Sequence, residues 1–231
     1  MTGTRRRPSI RAMDQLAEQR EYYRQRAPEY DEWWQSRGQY ARTPEQHRRW
    51  AEDVQEAEHA LDAFAPTGDV LEYAAGTGWW TERLARHATR LTAVDAADEA
   101  LEVNRRRTGD ADRITYLRAD IFDWSPPPAA FDVVFFGYWL SHVPEDRLAS
   151  FWQHVATALR PGGRVFLLDS YRDIRLPDDV QPRVLNDGRR FQVIKRYWQP
   201  DELTGYTADL GWRLTASVTA HGAILYAHGA R

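Results

Sequence analysis

Val70-Leu71-Glu72-Tyr73-Ala74-Ala75-Gly76-Thr77-Gly78 is the stretch on which the reading of this chain turns. A short apolar run ends in an acidic residue and passes into a glycine-bearing turn, after which a helix is expected. Glycine there lets the backbone approach a ligand and take conformations closed to other residues. Taken alone, the pattern also fits an ordinary turn and helix start. The next acid adds weight. Asp95 closes a second apolar run, Leu91-Thr92-Ala93-Val94-Asp95, 23 residues beyond Glu72. In a parallel β-α-β unit this spacing sets a carboxylate beside the glycine turn, where ribose hydroxyls can donate to it. An Asp at that place also serves to cap the following helix, and the two roles are compatible.

Outward from these runs the chain alternates. Apolar segments predict strands over residues 70–73, 91–94, 114–117, 132–136 and 164–168, with helical segments between most of them. Leu148, Phe151, Trp152, Val155 and Leu159 mark one helix, stopped by Arg160-Pro161-Gly162-Gly163. Such alternation predicts an α/β fold with a parallel sheet. A strand over 191–197, a helix over 201–210 and strands over 212–218 and 223–227 follow. The last two form a terminal hairpin that brings an antiparallel strand into the sheet.

Ahead of Pro66-Thr67-Gly68 the pattern is helical. Met13, Leu16, Arg20 and Tyr23 share a face, and a second helical stretch covers residues 28–36. Thr43-Pro44-Glu45-Gln46 is a capping box with proline at the first helical position. Behind it Trp50, Val54, Ala57, Leu61 and Phe64 form one apolar stripe. The expected organisation is a disordered basic tail over 1–11, a helical lid over 12–65 and a core over 66–231. Within that core, residues 172–190 are expected to be an inserted cover for a pocket.

Composition sets outer bounds. The chain has 231 residues, 42% hydrophobic and 28% charged, enough for one sizeable core. No apolar run approaches the ~18–20 residues of a membrane helix. Arg5, Arg6 and Arg7 have no apolar stretch behind them, so no secretory signal is read there. With no cysteine, disulfides, thiol nucleophiles and thiolate metal sites are excluded, and a cytoplasmic setting is expected. Lys195 is the one lysine beside 30 arginines, which reads as base-composition bias. The 10 Trp and 11 Tyr mostly fill the core and leave some to line a pocket for a flat substrate.

Phosphate chemistry separates two ligand classes at the glycine turn. A dinucleotide wants its pyrophosphate at the helix N-terminus under Gly-x-Gly-x-x-Gly. Here Thr81 replaces the third glycine, Trp79 and Trp80 crowd the approach, and Glu72 repels phosphate. Glu72 suits a ligand that presents an ammonium group. S-adenosylmethionine (SAM) has that ammonium, ribose hydroxyls and no phosphate.

Glu72-x-x-x-Gly76-x-Gly78 resembles motif I of the class I SAM-dependent methyltransferases, with Ala74 at the family's usual first glycine. Asp95, followed by Ala96, matches its ribose-binding acid. Ala119-Asp120-Ile121 resembles the segment in which Asp accepts from the adenine amino group and the next residue packs the ring. Residues 131–136, leading to Gly137, resemble its fourth strand, and 159–163 the turn before its fifth. The resemblance covers residues 66–170 well and the terminal hairpin loosely. It implies a Rossmann-like, mostly parallel seven-stranded sheet with an antiparallel C-terminal strand, flanked by helices, with SAM as cofactor and no metal. Tyr22-Tyr23-x6-Tyr30-Asp31-x-Trp33 looks like the lid that closes over SAM in small-molecule members, with Tyr22 and Tyr30 at the cofactor. Trp33 and Trp34 are expected to staple that lid to the sheet.

A methyl acceptor is expected beyond the fourth strand, at Gly137-Tyr138-Trp139-Leu140-Ser141-His142-Val143-Pro144. His142 is the candidate general base, and capping of the helix after Pro144 by Ser141 or His142 is the competing use. Tyr23, Tyr138, Trp139, Tyr171 and Arg172 are candidate substrate contacts. This loop lacks the Asn/Asp-Pro-Pro-Tyr/Phe of base-amino methyltransferases, and Asp169 reads as a carboxylate without companions. The expected activity is O- or N-methylation of a small aromatic or apolar metabolite, in the manner of secondary metabolism. The alternatives are an RNA-modifying methyltransferase, which the net charge of −3 disfavours, and a SAM-binding protein without activity or a nicotinamide-dependent oxidoreductase. Oligomeric state is not legible.

Overall fold

β1 (Gly68–Tyr73) is the central strand, buried from Val70 onward. It belongs to a computed structural model that describes residues 10–109, 111–173 and 180–231. On either side run β2 (Ala88–Asp95), β3 (Ile114–Arg118), β4 (Phe131–Gly137) and β5 (Leu159–Ser170), all parallel to it. The chain closes with β8 (Arg213–Val218) and β9 (Ile224–Ala230). The sheet order is β3-β2-β1-β4-β5-β9-β8, with β9 antiparallel to both neighbours. This is the seven-stranded, mostly parallel Rossmann-like sheet with an antiparallel C-terminal strand that the sequence implies.

Side chains alternate across such a sheet, so each face needs its own cover. Leu71, Tyr73, Val134 and Phe136 pack under Phe151 and Trp152 of α5 (Glu145–Ala158) and Leu203 of α6 (Pro200–Asp209). Val70, Val133, Phe135 and Phe166 pack under Leu61 and Phe64 of α2 (Pro44–Phe64) and Trp80 of α3 (Trp79–Leu84). The stripe read from the sequence is the buried face of α2. Its capping box is formed: Gln46 N donates to Thr43 Oγ1 at 3.2 Å, and Thr43 N donates to Gln46 Oε1 at 3.0 Å. Such a cap contributes about 1 kcal/mol.

α1 (Ile10–Arg26) crosses the C-terminal ends of the strands, and a 3-10 turn over Ala27–Glu32 leads away from it. The helical stretch expected over 28–36 is therefore short and tight. Trp34 stacks parallel on Trp79 at 4.6 Å and Trp33 meets Tyr138 edge-on at 4.7 Å, so both tryptophans join the segment to the core. Of the expected tail over 1–11, residues 1–9 lie outside the described residues, and α1 has begun by Ile10.

One expected strand is shorter than the sequence suggests. The segment read as 191–197 ends at Ile194 and stays out of the large sheet. It forms β7 (Arg190–Ile194), paired antiparallel with β6 (Val180–Val184) in a separate hairpin. Leu185 and Val193 of this hairpin pack on Tyr22 of α1, with Phe191 beside them. Ile194 N also donates to Gln19 Oε1 at 2.9 Å. An apolar seam thus joins this hairpin to α1. Within the expected cover over 172–190, residues 174–179 lie outside the described residues.

Candidate functional site

The strand order doubles back between β1 and β4, and there the connecting loops diverge at the carboxyl ends of the strands. A cleft of about 850 Å³, counted to its open mouth, lies between those ends and α1. Ala74, Gly76, Asp95, Ala96, Asp120, Ile121 and Gly137 line it from the strand tips, and Arg20, Tyr23 and Tyr30 from the lid. Tyr138, Trp139 and His142 complete the wall.

Backbone shape opens this cleft. Ala74 holds φ at 53°, a left-handed conformation that costs a residue with a Cβ some strain. Gly78 is left-handed too, and a Cβ there would stand 2.4 Å from Asn104 Oδ1. Gly78 therefore closes the packing behind the turn and does not line the cleft.

Two acids flank the turn. Asp95 Oδ2 accepts from Gly76 N at 2.8 Å and its Oδ1 from Ala97 N at 2.9 Å, so this carboxylate shapes the glycine turn directly. Burial raises its pKa and those N–H groups oppose the rise. Glu72 faces a small recess beside Trp34, Trp79 and Trp80 that adjoins Gly76 and Gly137. It is 2% exposed, and its Oε2 has no hydrogen-bond partner among the described residues. Burial lifts its pKa to about 8, with the Thr81 hydroxyl opposing and the Asp95 charge adding. An orphaned buried carboxylate oxygen is costly unless a donor or cation reaches it.

On the far side Asp120 Oδ1 accepts from Phe122 N at 2.9 Å, while its Oδ2 pairs with Arg20 of α1. Arg20, Gln19, Thr77 and Phe122 line the cleft although the sequence did not single them out as site residues.

His142 sits at the end of a 3-10 turn, Leu140–His142. Neither it nor Ser141 caps the next helix, whose N-cap Pro144 receives no side-chain bond. His142 Nδ1 meets the Ile194 carbonyl, and Nε2 meets the Tyr23 hydroxyl at 2.8 Å. A carbonyl only accepts, so Nδ1 carries the proton and Tyr23 donates to Nε2. Burial, then the nearby Lys195 charge, hold the His142 pKa well below its usual value, and the imidazole is neutral.

A second, wider cavity of about 1940 Å³, again counted to its mouth, lies across this wall. Tyr171 and Arg172 line it, as does Lys195. Tyr23, Tyr30, Tyr138 and His142 line both cavities. Asp169 has a cationic partner: Lys195 Nζ stands 3.0 Å from its Oδ1 and also donates to Ser141 Oγ at 2.7 Å. Tyr22 reaches neither cavity. Its ring meets that of Tyr23 edge-on at 4.9 Å but turns away from the cleft, fully buried against the hairpin. Among the described residues no group of three or more His, Asp or Glu could hold a metal ion, and no helix is long and apolar enough to cross a membrane.

Residues 70–163 match the family model described as a methyltransferase domain. A solved structure described as a DhpI-SAM-HEP complex is 34% identical with a TM-score of 0.79, covering 96% of this chain and 99% of that one. The Burkholderia thailandensis 1,6-didemethyltoxoflavin-N1-methyltransferase, solved with its substrate and S-adenosylhomocysteine, has a TM-score of 0.68 over 98% of this chain and 92% of that one. At 17% identity it speaks for the fold alone. A demethylmenaquinone methyltransferase of Clavibacter sepedonicus is 33% identical over 46% of this chain and 44% of its own length. The chain spans about half the length of the curated relatives it matches.

Proposed function

The chain belongs to the class I SAM-dependent methyltransferases, and we propose that it moves the methyl group of SAM to a small-molecule acceptor across the wall of Tyr23, Tyr30, Tyr138 and His142. That membership sets aside a nicotinamide-dependent oxidoreductase. The observation that carries the proposal is the meeting of two cavities at those four side chains.

The residues of the first cavity fit the donor. Glu72, with its orphaned Oε2, would take the ammonium of SAM. Asp95 would accept from the ribose hydroxyls, and Asp120 from the adenine amino group, with Ile121 against the ring. Ala74, Gly76, Ala96 and Gly137 supply the close backbone approach. Bound there, SAM supplies a methyl already activated by its sulfonium, so the work left to the protein is chiefly positioning. Holding two reactants in line is worth on the order of 7–11 kcal/mol. The Tyr30 ring at the shared wall offers a π face to positive charge.

On the acceptor side His142 Nε2 is the lone pair held ready to take a proton, through or beside the Tyr23 hydroxyl. Its depressed basicity suits a nucleophile that gives up its proton easily or arrives without one. Tyr138, Tyr171 and Arg172 would shape the acceptor space, while Trp139, expected there from the sequence, lines the donor cavity instead; the acceptor space favours O- or N-methylation of a compact, partly aromatic molecule.

Calorimetric titration of the full chain with S-adenosylhomocysteine, with NAD as control, tests the first half. Transfer of labelled methyl from SAM to a panel of small acceptors tests the second. S-adenosylhomocysteine binding that survives unchanged in both Glu72→Gln and Asp95→Asn would overturn the assignment of the donor cavity.

A further inference from the structure

We infer that the acceptor is an organic oxyanion, a carboxylate or phosphoryl compound, whose charge is seated on Arg26. The inference rests on the methyl-transfer reading and concerns the second cavity.

Arg26 ends α1 and is only 7% exposed. Arginine is almost never buried so far without an acidic partner, yet no ion pair is found for it among the described residues. Its Nε is buried with no hydrogen-bond partner. The guanidinium lies 4.7 Å from the Tyr30 ring, 5.1 Å from that of Tyr40 and 5.6 Å from that of Tyr22. Those π faces and the C-terminal dipole of α1 offset part of the burial cost. Among the described residues they leave its N–H donors without an acceptor. The side chain faces the second cavity, one ring away from the transfer wall.

The rest of that cavity has the same sign. Arg42 donates to the Trp33 carbonyl and Ser36 hydroxyl, Arg183 to the Pro182 carbonyl and Gln181 amide, and Arg172 lies over Tyr197. None of the three has a carboxylate partner among the described residues. Asp53 is the one acid among the described lining residues, and it is engaged by His221 N and Ala223 N. Arg49 and Lys195 have their own partners in Glu45 and Asp169. Four guanidinium groups without an acid, around a cavity with tyrosine hydroxyls, are a site short of negative charge. A planar fork of N–H donors suits carboxylate and phosphoryl oxygens alike.

The test uses the full chain saturated with S-adenosylhomocysteine and titrated with benzoate, phenyl phosphate, benzamide and benzyl alcohol. Either anion should bind at least about tenfold more tightly than the neutral pair, as one charge-assisted bond requires, and added salt should weaken it. Preference for benzoate or for phenyl phosphate identifies the source of the oxyanion. Arg26→Met should lose that advantage and Arg26→Lys should keep part of it, with S-adenosylhomocysteine affinity unchanged in both. Arg183→Gln, at the rim, gives a second reading should Arg26→Met fail to fold. Equal binding of neutral and anionic probes, or anion binding indifferent to both Arg26→Met and Arg183→Gln, overturns the inference. Failure of the wild-type chain to bind S-adenosylhomocysteine would instead overturn the methyl-transfer reading.

Discussion

Tyr23 and His142 are 119 residues apart in the chain, and a 2.8 Å hydrogen bond joins the tyrosine hydroxyl to Nε2 of the imidazole. The bond ties α1 to the turn after β4, and both residues face both cavities.

Tyr23→Phe keeps the ring and removes the donor. Turnover should fall by roughly 10²-fold, within the range for a proton-transfer partner, while S-adenosylhomocysteine affinity stays within a few-fold. Steady-state kinetics beside calorimetry read the two separately. His142→Ala should behave alike, and turnover that survives within a few-fold in both variants removes the pair from the mechanism.

Glu72 titrates near pH 8 in the free chain because it is buried. A bound ammonium favours the carboxylate, so ligand binding must expel the proton that Glu72 holds below that pH. Affinity for S-adenosylhomocysteine should then rise between about pH 6 and about pH 8, by up to about tenfold per unit. Calorimetry in buffers of different ionisation enthalpy should show proton release at neutral pH, absent in Glu72→Gln. No release from the wild-type chain would contradict the role given to Glu72.

His142 is neutral in the fold, with its pKa well below the 6.5 of a free imidazole. The unfolded chain therefore binds the extra proton first as pH drops. Stability contributed by the neutral ring is complete above about pH 6.5 and is lost as pH falls below it. Urea unfolding at several pH values should give a shallower acid slope for His142→Gln than for the wild type. Parallel slopes would mean that the ring titrates normally.

Lys195 and Asp169 form a buried pair, with side chains 6% and 2% exposed. Lys195→Met leaves the carboxylate buried alone, at an expected cost of about 3–5 kcal/mol. Adding Asp169→Asn should recover part of that loss, since a neutral amide tolerates burial better. A double variant as unstable as the single one would show that packing, and not charge, accounts for the effect.

Trp34 is 5% exposed, stacked on Trp79 and close to Trp50 and Trp80. Trp34→Ala should lower stability by about 3–5 kcal/mol and weaken S-adenosylhomocysteine binding, because the same ring borders the Glu72 recess. Denaturant titration and calorimetry check the two effects. A large stability loss with intact affinity would detach the aromatic cluster from the donor cavity.

Much of this was legible in one dimension. Strand periodicity, the glycine turn and the acids Glu72, Asp95 and Asp120 depend on residues near one another in sequence, and a parallel sheet brings its strand tips together by construction. Tyr22 was misplaced because adjacent residues on a helix point about 100° apart, and nothing local says which one faces the cleft. Lys195 and Arg26 went unread because a buried charge is recognisable only from its surroundings.

The amino-acid sequence by itself determined the sheet, its winding and which acids stand at neighbouring strand tips, since these follow from short-range pattern and from stereochemistry common to parallel sheets. Tertiary structure alone decided which side chains form the wall between the cavities, which tautomer His142 holds, and that the second cavity gathers arginines. Those properties arise where segments distant in the chain exclude water from one another, and desolvation acts on distances in space, which the linear order of residues does not contain.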